Sequence, residues 1–490
     1  MEFLWRALPV VIILVGHTPR LQSSRAGLLS RVIGYIALSL NTTLSDPFVD
    51  MLLLLVIGTG IIATVYTTHY SRIKYGDYTL VLAVDSFAVS MALVFTSRSL
   101  IEMITFWLIT ELIGFFLVAY DFVKARNDLA LAAATKYLLF SMIPTDVSLF
   151  VILALTGFTE AFEVELKSIS LVLQHPVILS IVILGFFSKA AIFPLHFWLP
   201  DAHSVAPSPA SALLSGLMVK MGVYALYLLS HYLLNMDIAV SLMLVTCGFT
   251  VIYGALQAIV QLDIKRILAY STTSNTALIV LLIALHIYSK DTVFLEAALL
   301  YTLVHGVYKA TLFLDSGLIE ILTHERSVKN LGYISRITPF ETAVVLLAIL
   351  IMFGFPPSIG FLAKVFLFSS VSKYLEKSWI YLFALVIASL KVFLSIIYNV
   401  VYLKAHLAGE LIENKKIDKH ALVLQPYIFS LALMGFILTF ILLSLSYPGY
   451  IEFYLLRKTI PAIIASLVLL VFTIFFIMSL LKKGTPHGER

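Results

Sequence analysis

Runs of about twenty apolar residues, the length a helix needs to cross a bilayer, recur fifteen times along this chain. They lie near 3–16, 27–44, 48–69, 78–97, 100–120, 129–156, 177–199, 209–232, 237–260, 267–288, 293–319, 339–370, 379–403, 425–447 and 459–481. No soluble fold hides that much apolar surface. Of the 490 residues 60% are hydrophobic and 12% charged, whereas about half apolar suffices for a soluble core. The runs are continuous instead of alternating, which excludes a β-barrel. It leaves helices, whose backbone polar groups are satisfied within the segment. The first run is short, but it starts at Glu2 and has no small-x-small cleavage site before His17. It therefore reads as a span and not as a signal peptide.

The connections predict orientation. Loops after odd-numbered runs, together with the C-terminal tail, carry nineteen Lys and Arg, with Arg31 and Lys265 counted among them; loops on the other side carry seven. The positive-inside rule then puts the N-terminus outside and the C-terminus in the cytoplasm. The net charge of +5 comes from these loops and implies no nucleic-acid partner. One cysteine, Cys247, cannot supply the thiolates of an Fe–S cluster or a Cys-based zinc site. A phosphate loop, an HExxH motif and a nucleophile elbow are all missing from the sequence, so neither cofactor nor metal is expected in this chain. The stretch 404–420 reads as a solvated loop of mixed charge, and Asn41-Thr42-Thr43 fits a glycosylation sequon.

Six lysines remain well inside the runs: Lys136, Lys189, Lys220, Lys309, Lys364 and Lys391. Each costs about 2.5–3.5 kcal/mol at the bilayer centre unless it meets partners or water. The last three repeat the first three at offsets of 173, 175 and 171 residues, five runs further on. An odd shift reverses direction. The pattern predicts two inverted five-helix repeats, 78–235 and 236–406, preceded by helices 1–3 (1–77) and followed by C-terminal helices (407–490). Run 7 is interrupted beside Lys189 by Pro194, which lacks an N–H and clashes with the carbonyl one turn back. Run 12 is interrupted before Lys364 by Gly354, Pro356, Pro357 and Gly360. Two discontinuous helices in corresponding positions of two halves point to an ion path near the midplane.

The residues suggest how such a path would work. Glu111, central in run 5, is the natural partner of Lys189; it would hold the ammonium when close and release its proton on separation. The rival reading is a static salt bridge. His305 and Lys309 lie one turn apart on run 11, and Lys220 lies in run 8, so a histidine bridge between two half-channels is expected. Lys391, with Tyr398 two turns later, would lead out of the second half. Lys136, Asp146 and His196 are secondary candidates, and Asp85, Asp315 and Glu320 are weaker ones for access routes or a sodium site.

Four stretches carry a resemblance. SKAAIFPLHFWLPDAHSVAPSPASALLSGLMVK (188–220), DIKRILAYSTTSN (263–275), HGVYKATLFLDSG (305–317) and GFPPSIGFLAK (354–364) are similar to the antiporter-like, proton-conducting subunits of respiratory complex I, Mrp-type Na+/H+ antiporters and membrane-bound hydrogenases. The Mrp D-type branch is the most similar. The resemblance spans runs 3 to 14, and the family core has fourteen helices, so about 14–15 transmembrane helices are expected in an all-α polytopic membrane protein. It implies an ion-translocating subunit, carrying H+ and/or Na+, in a prokaryotic cell membrane. Its implied relay residues are Glu111, Lys189, Lys220, His305, Lys309 and Lys364. Other antiporter-like and small membrane subunits are implied partners, together with a peripheral redox arm holding Fe–S clusters. A stand-alone Mrp-type antiporter without a redox partner and a self-contained solute transporter are the alternatives. No catalytic site is expected in the chain itself. STTSN departs from the family's more usual pattern after Tyr270, and the first 45 residues do not match closely.

Overall fold

A computed structural model describes residues 2–41, 46–157, 161, 175–231, 237–356, 358–408 and 418–444. Run 15, Pro357, Lys415 and Lys416, and most of the Asn41 sequon lie outside the described residues. Every element among the described residues is helical, apart from one isolated bridge between Asp263 and Ser327. We number the main helices α1 (Glu2–Val15), α2 (Arg25–Ala37), α3 (Pro47–Tyr75), α4 (Thr79–Phe95), α5 (Leu100–Val118) and α6 (Asp128–Thr156). There follow α7 (Pro176–Lys189), α8 (Trp198–Val205), α9 (Ser208–Ser230), α10 (Asp237–Val260) and α11 (Ile264–Ser289). The last are α12 (Val293–Thr323), α13 (Pro339–Phe353), α14 (Ile359–Ser372), α15 (Trp379–Leu407) and α16 (Gln425–Ser444).

Local chemistry sets the boundaries. Asp46 caps α3 by accepting from the N–H groups of Phe48 and Val49, with Pro47 in the first turn, and Gly76 closes the helix in the left-handed region at φ 76°. Ser99, Asp263, Ser358 and Ser378 cap α5, α11, α14 and α15 in the same manner. Among the described residues, nine helices are long and apolar enough to cross a membrane. α1 and α2, with 14 and 13 residues, rise only about 20 Å at 1.5 Å per residue. They pack on each other beside α3 and α4.

α12 is the axis of the bundle. It packs against α3, α9, α11, α13, α14 and α16, and is buried along nearly its whole length. α15 lies at the periphery and is inside out. Trp379, Leu382, Phe393 and Val400 are exposed, whereas its buried face carries Lys391, Ser395, Tyr398, Asn399, Tyr402 and His406. α6 likewise exposes Leu129, Leu139, Val147 and Phe150. Apolar surface outside and polar side chains inside is the arrangement a lipid solvent selects.

Three expectations need correction. α15 continues through Leu407, so His406 belongs to a buried helical face and not to a solvated loop. Arg31, counted among loop cations, lies inside α2 at 0% exposure, against Asp85. Lys265, also counted as a loop residue, is in the first turn of α11 and 1% exposed, bonded to Glu320 at 2.8 Å.

Candidate functional site

The first interruption follows from Pro194. α7 ends at Lys189, just short of the residue whose carbonyl the proline ring would strike, and Ala191 turns into the left-handed region at φ 54°. The carbonyls released at the break find donors. Thr276 Oγ1 bonds Ala190 O at 2.9 Å, and Trp198 Nε1 bonds Ser188 O at 2.8 Å. Lys189 is thus fixed at a helix end, where a cation is favourable. Its Nζ lies 2.6 Å from Glu111 Oε1, both side chains being fully buried. Trp107 Nε1 donates to the same oxygen at 3.1 Å. Asp146 is an electrostatic neighbour of Glu111.

The second interruption repeats this design with a different breaker. α13 ends at Phe353, Gly354 adopts φ 72°, and α14 starts behind the Ser358 cap. Lys364 reaches back across the gap and donates to Phe353 O at 2.7 Å. Leu350 O and Ile351 O are closed by Phe355 N and Gly354 N, and the terminal carbonyl, at Phe353, receives the ammonium.

Between the breaks runs a file of buried cations. Lys220 Nζ lies 2.7 Å from His305 Nδ1 and donates to Ser215 O at 2.6 Å. Ser215 sits in a π-helical segment, Leu214–Met218, that distorts α9 immediately before the lysine. Lys309 donates to Leu268 O at 2.9 Å and bonds Ser271 Oγ. His305 is within electrostatic reach of Lys220, Lys309 and Lys391, and Lys391 of Lys364. Lys391 Nζ has no hydrogen-bond partner among the described residues and sits 5.1 Å over the Tyr301 ring. Lys189 and Lys220 are not bonded to each other. Tyr137 accepts from Lys189 at 3.5 Å and donates at 3.4 Å to Met218 Sδ, two residues before Lys220 in the chain.

Two secondary candidates stand apart from this file. Lys136 is half exposed and paired with Asp201 at 2.5 Å. His196 is buried in the first break among Phe193, Phe197 and Tyr253. Asp85 lies elsewhere, binding His17, Tyr35 and Thr64 at 2.8–2.9 Å. Reading the sequence missed His203, fully buried and stacked on Phe313 within electrostatic reach of Lys309 and Lys265. It also missed Glu341 and His406, which meet Asp315. A signal existed for His406: it falls on the same helical face as Lys391 and Tyr402. Among the described residues no three His, Cys, Asp or Glu side chains converge as metal ligands, and Cys247 is a buried apolar-core residue.

Residues 97–394, more than half of the chain and all of the file, match the family described as NADH:quinone oxidoreductase/Mrp antiporter, TM. NADH-quinone oxidoreductase subunit N of Desulforudis audaxviator is 31% identical over 364 residues, covering 70% of this chain and 69% of that protein. An Na(+)/H(+) antiporter subunit of Alkalihalophilus pseudofirmus is 28% identical over 376 residues, covering 72% of this chain and 46% of that protein. The chain therefore spans about half the length of the antiporter subunits it matches. A chain in the solved Mrp complex from Dietzia sp. DQ12-45-1b shares the fold, with a TM-score of 0.74 and 22% identity over 99% of this chain and 57% of that one. The helical bundle with its two broken helices is accordingly that of a polytopic membrane subunit, and the chain belongs to the NADH:quinone oxidoreductase/Mrp antiporter transmembrane family.

Proposed function

We propose that this chain is an ion-translocating subunit of a multi-subunit membrane complex, moving H+ and/or Na+ along Glu111, Lys189, Lys220, His305, Lys309 and Lys364. The observation that carries the reading is the buried file itself. Lys189, Lys220 and Lys309 are fully buried and Lys364 is partly buried at the second break; each is held by a neutral oxygen, a histidine or one carboxylate, and contacts of this kind can be exchanged as a proton passes. The short Lys220–His305 contact needs one proton between two bases, which suits a relay. Tyr137 divides the Glu111–Lys189 pair from the rest, so transfer there is the step that a change of hydration would control. The similar placing of a lysine at each helix break supports two inverted halves, 78–235 and 236–406.

Within that reading we favour a redox-driven complex of the quinone oxidoreductase or membrane-bound hydrogenase type, with the redox arm on partner subunits. A single cysteine in 490 residues cannot ligate an Fe–S cluster, and the chain covers a larger share of the quinone oxidoreductase relative than of the antiporter relatives. The shared fold with a chain of an Mrp complex supports the second reading, a stand-alone antiporter. Purification in mild detergent separates them: co-purifying subunits with Fe–S signals support the first, and a redox-free assembly supports the second. Ion movement is tested by reconstituting the assembly in vesicles. K220M and K309M should abolish translocation while the complex stays assembled; wild-type rates in both would refute the relay.

A further inference from the structure

Four buried groups outside the file meet at one end of α15. Asp315 on α12, Glu341 in the first turn of α13, and Tyr402 and His406 on α15 are all 0% exposed. Tyr402 donates its hydroxyl to Asp315 Oδ2 at 2.5 Å, and His406 Nε2 lies 3.2 Å from the same oxygen. The Glu341 carboxyl is an immediate electrostatic neighbour of the Asp315 carboxyl, on packed helices. Yet among the described residues both Glu341 oxygens and Asp315 Oδ1 have no donor, and His406 Nδ1 has no partner. Two carboxylates are acceptors only, so buried neighbours of this kind need something positive beside them, and the nitrogen in contact with the pair, His406 Nε2, reaches Asp315 alone. Among the described residues no lysine or arginine is paired with either. The other ionisable groups around the pair are Tyr66 on α3, an electrostatic neighbour of both carboxyls with its hydroxyl on Leu314 O, and the two α15 residues already named; Glu320 and Tyr70 lie beyond Tyr66, and Tyr308 lies beyond Tyr402.

We propose that Asp315 and Glu341 form a proton-binding site that holds one shared proton between the two carboxyls. The rest of the buried polar face of α15 runs from it toward the file. Asn399 accepts from Tyr308 at 2.5 Å and donates to Ser395 O at 2.8 Å. Asn275 donates to Ser271 O at 2.6 Å and lies 3.4 Å from the Tyr398 hydroxyl, while Ser271 bonds Lys309. On the other side, five residues beyond Asp315, Glu320 bonds Lys74 and Lys265 and lines an open polar cavity of about 750 Å³ together with Asp121, Asp263 and Arg326. The pair therefore stands between a wet mouth and Lys309, where a proton taken from the mouth is held by two carboxyls before reaching the lysines. Its role as a stage in transport rests on the relay reading; the shared proton itself does not.

Infrared difference spectroscopy of the purified assembly tests the site without requiring transport. Wild type minus D315N and wild type minus E341Q, near neutral pH, should each show loss of a protonated-carboxyl C=O band that shifts in D2O. Y402F keeps both carboxyls and should shift that band without removing it. The same band should persist in K309M, even where K309M stops translocation, which keeps the two proposals distinguishable. In vesicles, D315N and E341Q should slow translocation by on the order of a hundredfold, the scale of losing a proton-transfer group. Unchanged bands in D315N and E341Q, or no shift in Y402F, would overturn the proposal. So would a band lost on adding Na+ at constant pH, which would place a metal cation there.

Discussion

The Glu111–Lys189 contact makes a quantitative demand. Both side chains are fully buried, with 2.6 Å between Nζ and Oε1. At an effective dielectric constant of about 20, unit charges at that separation attract by roughly 6 kcal/mol. Desolvation of the two ions offsets part of this, so removing one partner should cost about 3–5 kcal/mol. E111Q preserves shape and leaves the Trp107 N–H with an acceptor, so what it removes is mainly the negative charge. K189M removes the positive one. The double variant E111Q/K189M leaves no uncompensated ion, and its stability should recover much of the sum of the single losses. The cycle should yield a coupling of about 2–3 kcal/mol, near the upper end for contacting residues. Denaturant titration in mixed micelles measures it, and vesicle assays measure translocation in parallel. A coupling under about 0.5 kcal/mol, as for exposed pairs, would refute a dry ion pair. Full translocation by an assembled E111Q protein would refute its place in the relay.

Further outcomes are expected elsewhere. A Cβ on Gly222 would stand 2.6 Å from Ala190 N and 2.7 Å from Phe186 O, so G222A must push α9 from α7; a loss of about 1–3 kcal/mol and reduced translocation should appear in thermal and vesicle assays. G354A forces an L side chain into φ 72° with its Cβ 2.8 Å from Lys364 Cδ, and should cost at least about 1 kcal/mol while slowing transport; an unchanged melting temperature would count against the strained turn. Asp291 in the α11–α12 connection is partly buried, which alone would raise its pKa, but bonds from Tyr374, the Val293 N–H and Lys373 hold it below the ordinary value. Its stabilisation is therefore complete above the unfolded pKa of about 3.9 and is lost as pH falls through the lower folded value. The wild-type advantage over D291N should stay flat from neutral pH to about pH 5 and shrink only below about pH 4.

Local chemistry was legible in the sequence, and relations between helices were not. Pro194 and Gly354 mark both interruptions because proline and glycine act on the backbone wherever they stand. The lysines were visible because charge in an apolar run has few explanations. The phase of each helix about its own axis is a tertiary property, however. Lys136 lies within its run as Lys189 does, nearer one end, and α6 turns it outward to Asp201. Glu341 drew no reading from the sequence, because only the packing of α13 on α12 brings it to Asp315, 26 residues earlier in the chain. The π-helical segment before Lys220 leaves no compositional trace at all. His406 was hidden by a boundary error of a few residues, small in length but decisive for which side of the helix it occupied.

The bond from Lys364 to Phe353 O joins the end of one half-helix to a side chain of the next. An ammonium serving there cannot give up its position for nothing: when it turns away, the last carbonyl of α13 is stranded in a medium that offers it no substitute. Some other donor, most simply a water molecule, has to arrive as the lysine leaves. Wetting of this spot and the swing of the side chain are thus one event, and the hinge between the two half-helices is as stiff or as loose as the occupancy of that single oxygen.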